Sequence, residues 1–87
     1  MEHEDPLRFP CRIPVKIFVR NAVEYREAAL GIIRAHFAEI GDDQVTERQS
    51  REGSYLSLSV TVRAETRAQV DAFYRELSTH DSIMMAL

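Results

Sequence analysis

The stretch that decides the fold is YLSLSVTVR, residues 55–63, in which leucine and valine alternate with tyrosine, serine, threonine and arginine. Successive side chains of a strand point to opposite faces, so this alternation predicts a strand with one buried face and one open face. Just before it stands Glu52-Gly53, a pair typical of a hairpin turn. The polar residues 45–51 upstream of that turn are therefore expected to form an edge strand that pairs with it.

Two further strands are predicted at the ends of the chain. Residues 12–20 repeat the alternation, and the branched side chains on one face are Ile13, Val15, Ile17 and Val19. Residues 82–87 are short and apolar, which predicts a last strand with Ile83, Met85 and Leu87 on one side.

The segment between the first two strands has the spacing of a helix over residues 22–40. Asn21 is a candidate cap, with Glu24 three residues later. Gly41 is expected to end the helix with a positive φ. The predicted buried stripe consists of Val23, Leu30, Ile33, Phe37 and Ile40.

A second helix is predicted from Thr66 to about Thr79. Thr66 and Gln69 have the spacing of a capping box at its start. Its apolar stripe is Val70, Phe73, Tyr74 and Leu77.

The resulting order, β-α-β-β-α-β with short connections, predicts one α+β domain of the ferredoxin-like kind. Right-handed crossovers give a four-stranded antiparallel sheet in the order 4-1-3-2, with both helices on one face. Residues 1–10 are interpreted as an N-terminal tail and lead-in, and residues 11–87 as the domain.

The sheet face without helices is the candidate interaction face. Ser57 and Ser59 are unusual there, because β-branched residues would stabilise a central strand better, and small hydroxyls suggest close approach by another molecule. The residues expected on this face are Lys16, Phe18, Tyr55, Ser57, Ser59, Thr61 and Met84.

Composition limits the classes of partner. The chain has 87 residues, of which 45% are hydrophobic and 29% charged, as in a globular domain that folds in water without a membrane span. The net charge of −3 argues against nucleic acid. Cys11 has no cysteine to pair with, and the acidic start lacks the features of a signal peptide, so the cytoplasm is expected.

The sequence offers no motif for catalysis. No nucleophile stands in a pattern that places a base beside it, and Cys11 is interpreted as a small packed residue. His3, His36 and His80 are scattered without the spacing of a metal site. We therefore expect a protein that is not an enzyme and that needs no cofactor or metal.

Two binding alternatives remain open. Arginine forks match carboxylates and phosphates, and the candidate anion contacts are Arg48, Arg51, Arg63 and Arg67. Aromatic residues such as Phe18 and Tyr55 on central strands are also how RNA-recognition motifs stack bases. The third strand lacks the basic-aromatic pattern of those motifs, so RNA is the weaker of the two.

The chain resembles the YbeD-like family of small bacterial proteins. The most specific match is the Ser-x-x-Gly-x-Tyr-x-Ser-x-Ser hairpin, and the resemblance covers almost all of the chain from Phe9. The matching parts are Phe9-Pro10, Lys16, residues 50–62, residues 74–77 and the ending Met85-Ala86-Leu87. The resemblance implies a ferredoxin-like fold akin to ACT-type regulatory domains, together with a link to lipoate metabolism.

The resemblance to ACT domains carries no ligand site. ACT domains that bind amino acids commonly use a glycine in the first βα loop, where this chain has Arg20-Asn21. The prediction is thus a regulatory or adaptor domain that associates with itself or with an enzyme. The alternative is a module that binds a small anionic metabolite.

Overall fold

Six regular elements follow one another in the predicted order. The computed structural model describes residues 8–81 and 83–86, with only the backbone at Met85. The elements are β1 (Cys11–Arg20), α1 (Val23–His36), β2 (Thr46–Gln49), β3 (Tyr55–Ala64), α2 (Arg67–Thr79) and β4 (Ile83–Ala86), with a 3-10 turn at Asp42–Gln44. Predictions for residues 1–7, for Ser82, for Leu87 and for the Met85 side chain lie outside the described residues.

The four strands form one antiparallel sheet in the order β2-β3-β1-β4, which confirms the predicted 4-1-3-2 arrangement and the ferredoxin-like α+β fold. Val15 lies opposite Val60, and Ile17 lies opposite Leu58. All four are buried, so the alternation in β1 and β3 places their branched side chains on the same face.

Both helices cover that face. The core joins the inward residues of β1 and β3 to Leu30 and Ile33 of α1 and to Phe73 and Leu77 of α2. Burial of these side chains is the main stabilising contribution to a sheet that is open on its other side. Phe9, from the predicted lead-in, packs at the margin of the core.

Helix α1 differs from its prediction at both ends. It begins after Ala22, and the Asn21 side chain does not cap it but donates to the carbonyl of Gly53 instead. It ends at His36, because Phe37 is already extended (φ −130°) while its ring is still buried. The apolar spacing of Phe37 and Ile40 therefore continues beyond the helix, since a loop can fill the core as well as a helical turn can.

Two residues of the predicted α1 pattern have other roles. The positive φ expected at Gly41 occurs at Glu39 (64°), whereas Gly41 is extended. Val23, expected in the buried stripe, is 74% exposed. The buried side chains of α1 are Ala29, Leu30, Ile32 and Ile33.

Helix α2 begins as predicted. The Thr66 hydroxyl accepts a hydrogen bond from the Gln69 backbone N–H at 3.1 Å, and the Gln69 side chain accepts one from the Glu65 N–H. The Gln69 amide also donates to the carbonyl of His36 at 2.7 Å. The start of α2 is thereby joined to the end of α1.

Strand β4 departs from simple alternation. A bulge between its pairings with Phe18 and Val19 shifts the register. Ile83 and Ala86 both pack against the core, although they are an odd number of residues apart. Met84 is 49% exposed. A bulge adds one residue to a strand and redirects the side chains beyond it. Ile83 packs inward as predicted, and the other two residues of the predicted face, Met85 and Leu87, have no described side chain.

Candidate interaction face

The open face is the side of the sheet that the helices leave uncovered. The register places Phe18 of β1 opposite Ser57 of β3, and Lys16 opposite Ser59. Since directly paired residues share a face, these four side chains lie on one surface. Six predicted residues of this face therefore come together on β1 and β3: Lys16, Phe18, Tyr55, Ser57, Ser59 and Thr61.

An apolar cluster, consisting of Phe18, Tyr55 and Met84, lies at one end of the open face. Together with Ser50 it lines a depression of about 430 Å³. Tyr55 is 45% exposed and Met84 49%. Met84, the seventh predicted residue, thus joins the two aromatic side chains from the edge strand.

The β2–β3 hairpin fixes the position of Tyr55. The Tyr55 backbone N–H donates to the Ser50 hydroxyl at 3.1 Å, and the Ser50 N–H donates to the Tyr55 carbonyl at 2.9 Å. Gly53 forms the turn with a φ of +78°, a conformation that an L side chain would strain. The backbone at Tyr55 is held by the closed hairpin end, so little backbone freedom remains to be lost on binding.

Polar groups surround the apolar cluster. The Lys16 ammonium lies 5.7 Å from the centre of the Phe18 ring, within range of a cation–π interaction. A second depression, of about 190 Å³, continues from the cluster past Lys16, Arg48 and Ser57. The Ser57 hydroxyl donates a long bond of 3.4 Å to the Arg48 carbonyl. Within residues 8–81 and 83–86, Ser59 and Thr61 make no side-chain hydrogen bond.

The open face is strongly basic, although the chain as a whole is acidic. Its positions on the strands carry Arg12, Lys16 and Arg20 from β1, Arg48 from β2 and Arg63 from β3. Among the described residues of these four strands, no carboxylate lies on this face. Apart from Arg63, these cations form no ion pair with the described part of the chain.

The described carboxylates instead lie on the helix side or beyond the strands. Glu47 is opposite the buried Leu58 and so points towards the helices, where its carboxylate accepts from the Arg26 Nε at 2.6 Å. That hydrogen bond raises the pKa of the Arg26 guanidinium, and burial partly opposes the shift. Arg34 pairs with Asp42 on the same side. The net charge of the chain therefore gives no sign of how the charged side chains of the described residues are divided between the two faces.

The two cations that the sequence analysis omitted are Arg12 and Arg20. A signal for them existed, because both occupy the even-numbered positions of β1 that also hold Lys16. Counting charge by strand position, and not over the whole chain, would have identified them.

The four arginines predicted to bind an anion do not converge. Arg48 lies level with Ser57, and Arg51 is in the hairpin turn that follows β2. Arg63 is at the far end of β3, roughly 20 Å further along the strand. Its Nε donates to Glu65 at 2.9 Å, and the Arg67 Nε lies 3.4 Å from Asp71. The four arginines therefore form two separate pairs, and nearby carboxylates partly neutralise the pair of Arg63 and Arg67.

Other candidate chemistry lies apart from the open face. Cys11 is a half-buried free thiol opposite the buried Ala64. His36 is on the helix side, where its Nε2 is 2.6 Å from Glu76. Among the described residues, no group of three or more histidine, cysteine or acidic side chains could hold a metal ion. Neither helix in the described ranges has the length and apolar character needed to cross a membrane.

Comparison with known proteins places the chain in a family. Residues 4–87 match the model "Protein of unknown function (DUF493)". The chain is 32% identical over 87 residues to a UPF0250 protein of Nitrosomonas europaea, with 100% of both chains covered. It is 35% identical over 85 residues to a UPF0250 protein of Paraburkholderia phytofirmans, covering 98% of this chain and 96% of the relative. The YbeD-like resemblance is thereby confirmed, and the chain belongs to the DUF493 family.

Proposed function

We propose that this chain is a non-enzymatic association domain that binds an enzyme through its open face and modulates it, as ACT-type domains do. The observation that carries the proposal is the apolar cluster, in which Tyr55 and Met84 are about half exposed at one end of the basic open face. Aromatic, methionine and arginine side chains are the residues enriched in protein interfaces.

The placement of the apolar cluster supports a docking role. Phe18 lies within a long strand of the sheet, and Tyr55 begins another beside the closed hairpin. Strands of a packed sheet hold their side chains in place, and binding then costs little ordering. Scattered surface apolar residues need no explanation, but three that line one depression indicate an interaction site.

The chemistry of the open face supports a non-catalytic role. The depressions beside Phe18 and Lys16 are lined by aromatic, hydroxyl, amide and cationic side chains. Neither lining contains a carboxylate or histidine that could act as a general base among the described residues. The described side chains of the open face can therefore bind a partner but do not form a general-base site.

The test is affinity capture of partners from the cytoplasm of the source bacterium with the tagged chain and two variants. Phe18→Asp places a charge in the apolar cluster and should abolish capture of a stoichiometric partner. Val23→Asp is the matched control, because Val23 is 74% exposed on the helix side, and it should leave capture unchanged. Equal capture by all three proteins would refute association through the open face.

The resemblance suggests which enzymes to test directly. Enzymes of lipoate metabolism should be purified and assayed with and without the chain, since a modulator must change the rate of its target. A partner whose rate changes with the wild-type chain and not with Phe18→Asp would support the proposal. If no captured enzyme changes its rate, the modulating role fails and only association remains.

A further inference from the structure

We propose that the occupant of the open face is an acidic protein segment that inserts one large apolar side chain between Phe18, Tyr55 and Met84. This inference rests on the proposed function and specifies its partner. It depends on two observations. The depression has an apolar lining, and the described residues form no ion pair with four cations of the open face, namely Arg12, Lys16, Arg20 and Arg48.

Charge complementarity selects an acidic partner. Arg20 lies directly opposite Tyr55, and Arg48 lies in line with Phe18 and Ser57, so cations border the apolar cluster on both sides. Arginine forms paired, charge-assisted hydrogen bonds with carboxylates. No described carboxylate of the four strands lies on the open face to compete for them, whereas Arg26 and Arg34 on the helix side already have acidic partners.

A second copy of the chain is a poor occupant. If two open faces met about a two-fold axis, one interface would contain Arg12, Lys16, Arg20 and Arg48 of both copies. Like charges brought together across an interface oppose binding. If the open face met the acidic helix side instead, the contact would be head-to-tail and would extend without closing unless it formed a ring. Of the two predicted partners, a different protein is therefore favoured over self-association.

The apolar cluster favours a protein side chain over a nucleic acid base. Three of the four residues that line the 430 Å³ depression are apolar or aromatic, as expected for an anchor pocket. Base stacking needs a free ring face, and Lys16 lies over one face of the Phe18 ring, which leaves that face less open to a base. Basic charge alone is compatible with either a nucleic acid or an acidic protein segment. The apolar lining of the depression therefore favours the protein segment.

The test is a binding titration with a defined probe, a fluorescein-labelled peptide in which glutamates surround a single phenylalanine. Fluorescence anisotropy gives the affinity, and backbone amide NMR of the labelled chain locates the contact. We expect shifts confined to residues near Phe18, Arg48 and Tyr55, with binding that weakens as salt is raised. Replacing the glutamates by lysine, or the phenylalanine by serine, should each abolish or strongly weaken binding.

Variants of the chain make the test specific. Arg48→Glu should lower the affinity for the peptide by about tenfold or more, as expected for the loss of a charge-assisted hydrogen bond. Arg75→Glu is the matched charge reversal on exposed α2, and it should leave the affinity within about twofold, because screening weakens exposed charges that are far apart.

Three results would overturn the inference. They are no binding of the peptide, equal binding of its lysine version, and tighter binding of a single-stranded oligonucleotide in the same assay. If the peptide fails but a captured enzyme still depends on Phe18, association through the open face survives and only the acidic partner is excluded. If capture is also unaffected by Phe18→Asp, both proposals fail.

Discussion

The side-chain amide of Asn21 donates a hydrogen bond of 2.9 Å to the backbone carbonyl of Gly53, and the Asn21 backbone N–H donates to Ser54 at 3.0 Å. These bonds join the loop after β1 to the β2–β3 turn. The two segments are 32 residues apart in sequence, and their contact holds the hairpin that positions Tyr55. Asn21 therefore stabilises the candidate site without belonging to it.

Asn21→Ala should lower the free energy of unfolding by about 0.5–1.5 kcal/mol, the usual net value of one hydrogen bond, and by the lower part of that range because Asn21 is exposed. Urea denaturation measures the change. Asn21→Asp, which has no N–H to donate, should cost at least as much because its carboxylate would face a carbonyl. Unchanged stability in both variants would show that the bond contributes nothing.

Gly31 offers a stabilising substitution. It lies on the exposed side of α1, and a Cβ built at this position meets nothing within 4 Å. Alanine favours the helix over glycine by about 0.5–1 kcal/mol, so Gly31→Ala should raise the Tm by about 2–8 °C. Calorimetry tests this. An unchanged or lower Tm would contradict the expected gain in helix propensity.

The strands were predictable because a sheet with one covered face imposes a period of two on its sequence. Leu58 and Val60 alternate with Ser57 and Ser59 in the chain, and the structure buries the first pair. The fold followed from that pattern and from connection lengths. The bulge in β4 was not predictable, because an extra residue in an apolar segment leaves no sign in composition.

The predictions for the end of α1 and for the role of Asn21 were wrong, because a local sequence pattern is compatible with more than one structure. Phe37 keeps helical spacing with Ile33 but fills the core from an extended backbone. The Asn21 side chain can cap a helix or bind a distant carbonyl, and only the folded chain brings Gly53 within reach. Tertiary contacts decided both cases.

The basic open face was missed because net charge is a sum over the molecule. The value of −3 is compatible with a face that holds Arg12, Lys16, Arg20 and Arg48, provided that carboxylates lie elsewhere. The strand positions of the candidate interaction residues could be predicted from strand alternation. Their surroundings could not, because they depend on which strands are neighbours.

Tyr74 should make the free energy of unfolding depend on pH in the alkaline range. Burial raises the pKa of its phenol above the ordinary value of 10.0. The unfolded chain then releases this proton at lower pH than the folded chain does, so the contribution to stability is complete below pH 10 and is lost as the pH rises through the folded pKa.

Tyr74→Phe removes this titration, and its stability should fall less steeply above pH 10 than that of the wild type. Urea denaturation across the alkaline range measures the two slopes. A pH-independent difference in the free energy of unfolding between the two proteins would reflect contacts of the hydroxyl. A difference in the pH slope reports the titration of the phenol. Parallel curves would show that the folded and unfolded phenols titrate alike.

Substitutions at Ser59 should distinguish an effect on stability from an effect on binding. It lies in the middle of β3 between Lys16 and Thr46, where a β-branched residue fits a pleated surface better. Ser59→Val should therefore raise the free energy of unfolding by up to about 1 kcal/mol, measured by urea denaturation.

The same substitution adds bulk to the floor of the open face, beside a depression of about 420 Å³ that Lys16, Thr46 and Thr61 also line. If a partner approaches closely here, Ser59→Val should weaken its capture while Ser59→Ala, which adds no bulk, leaves capture unchanged. A destabilised valine variant would assign the serine a structural role. A stabilised variant with normal capture would place the contact nearer Phe18 and Tyr55, and would leave Ser59 without a binding role.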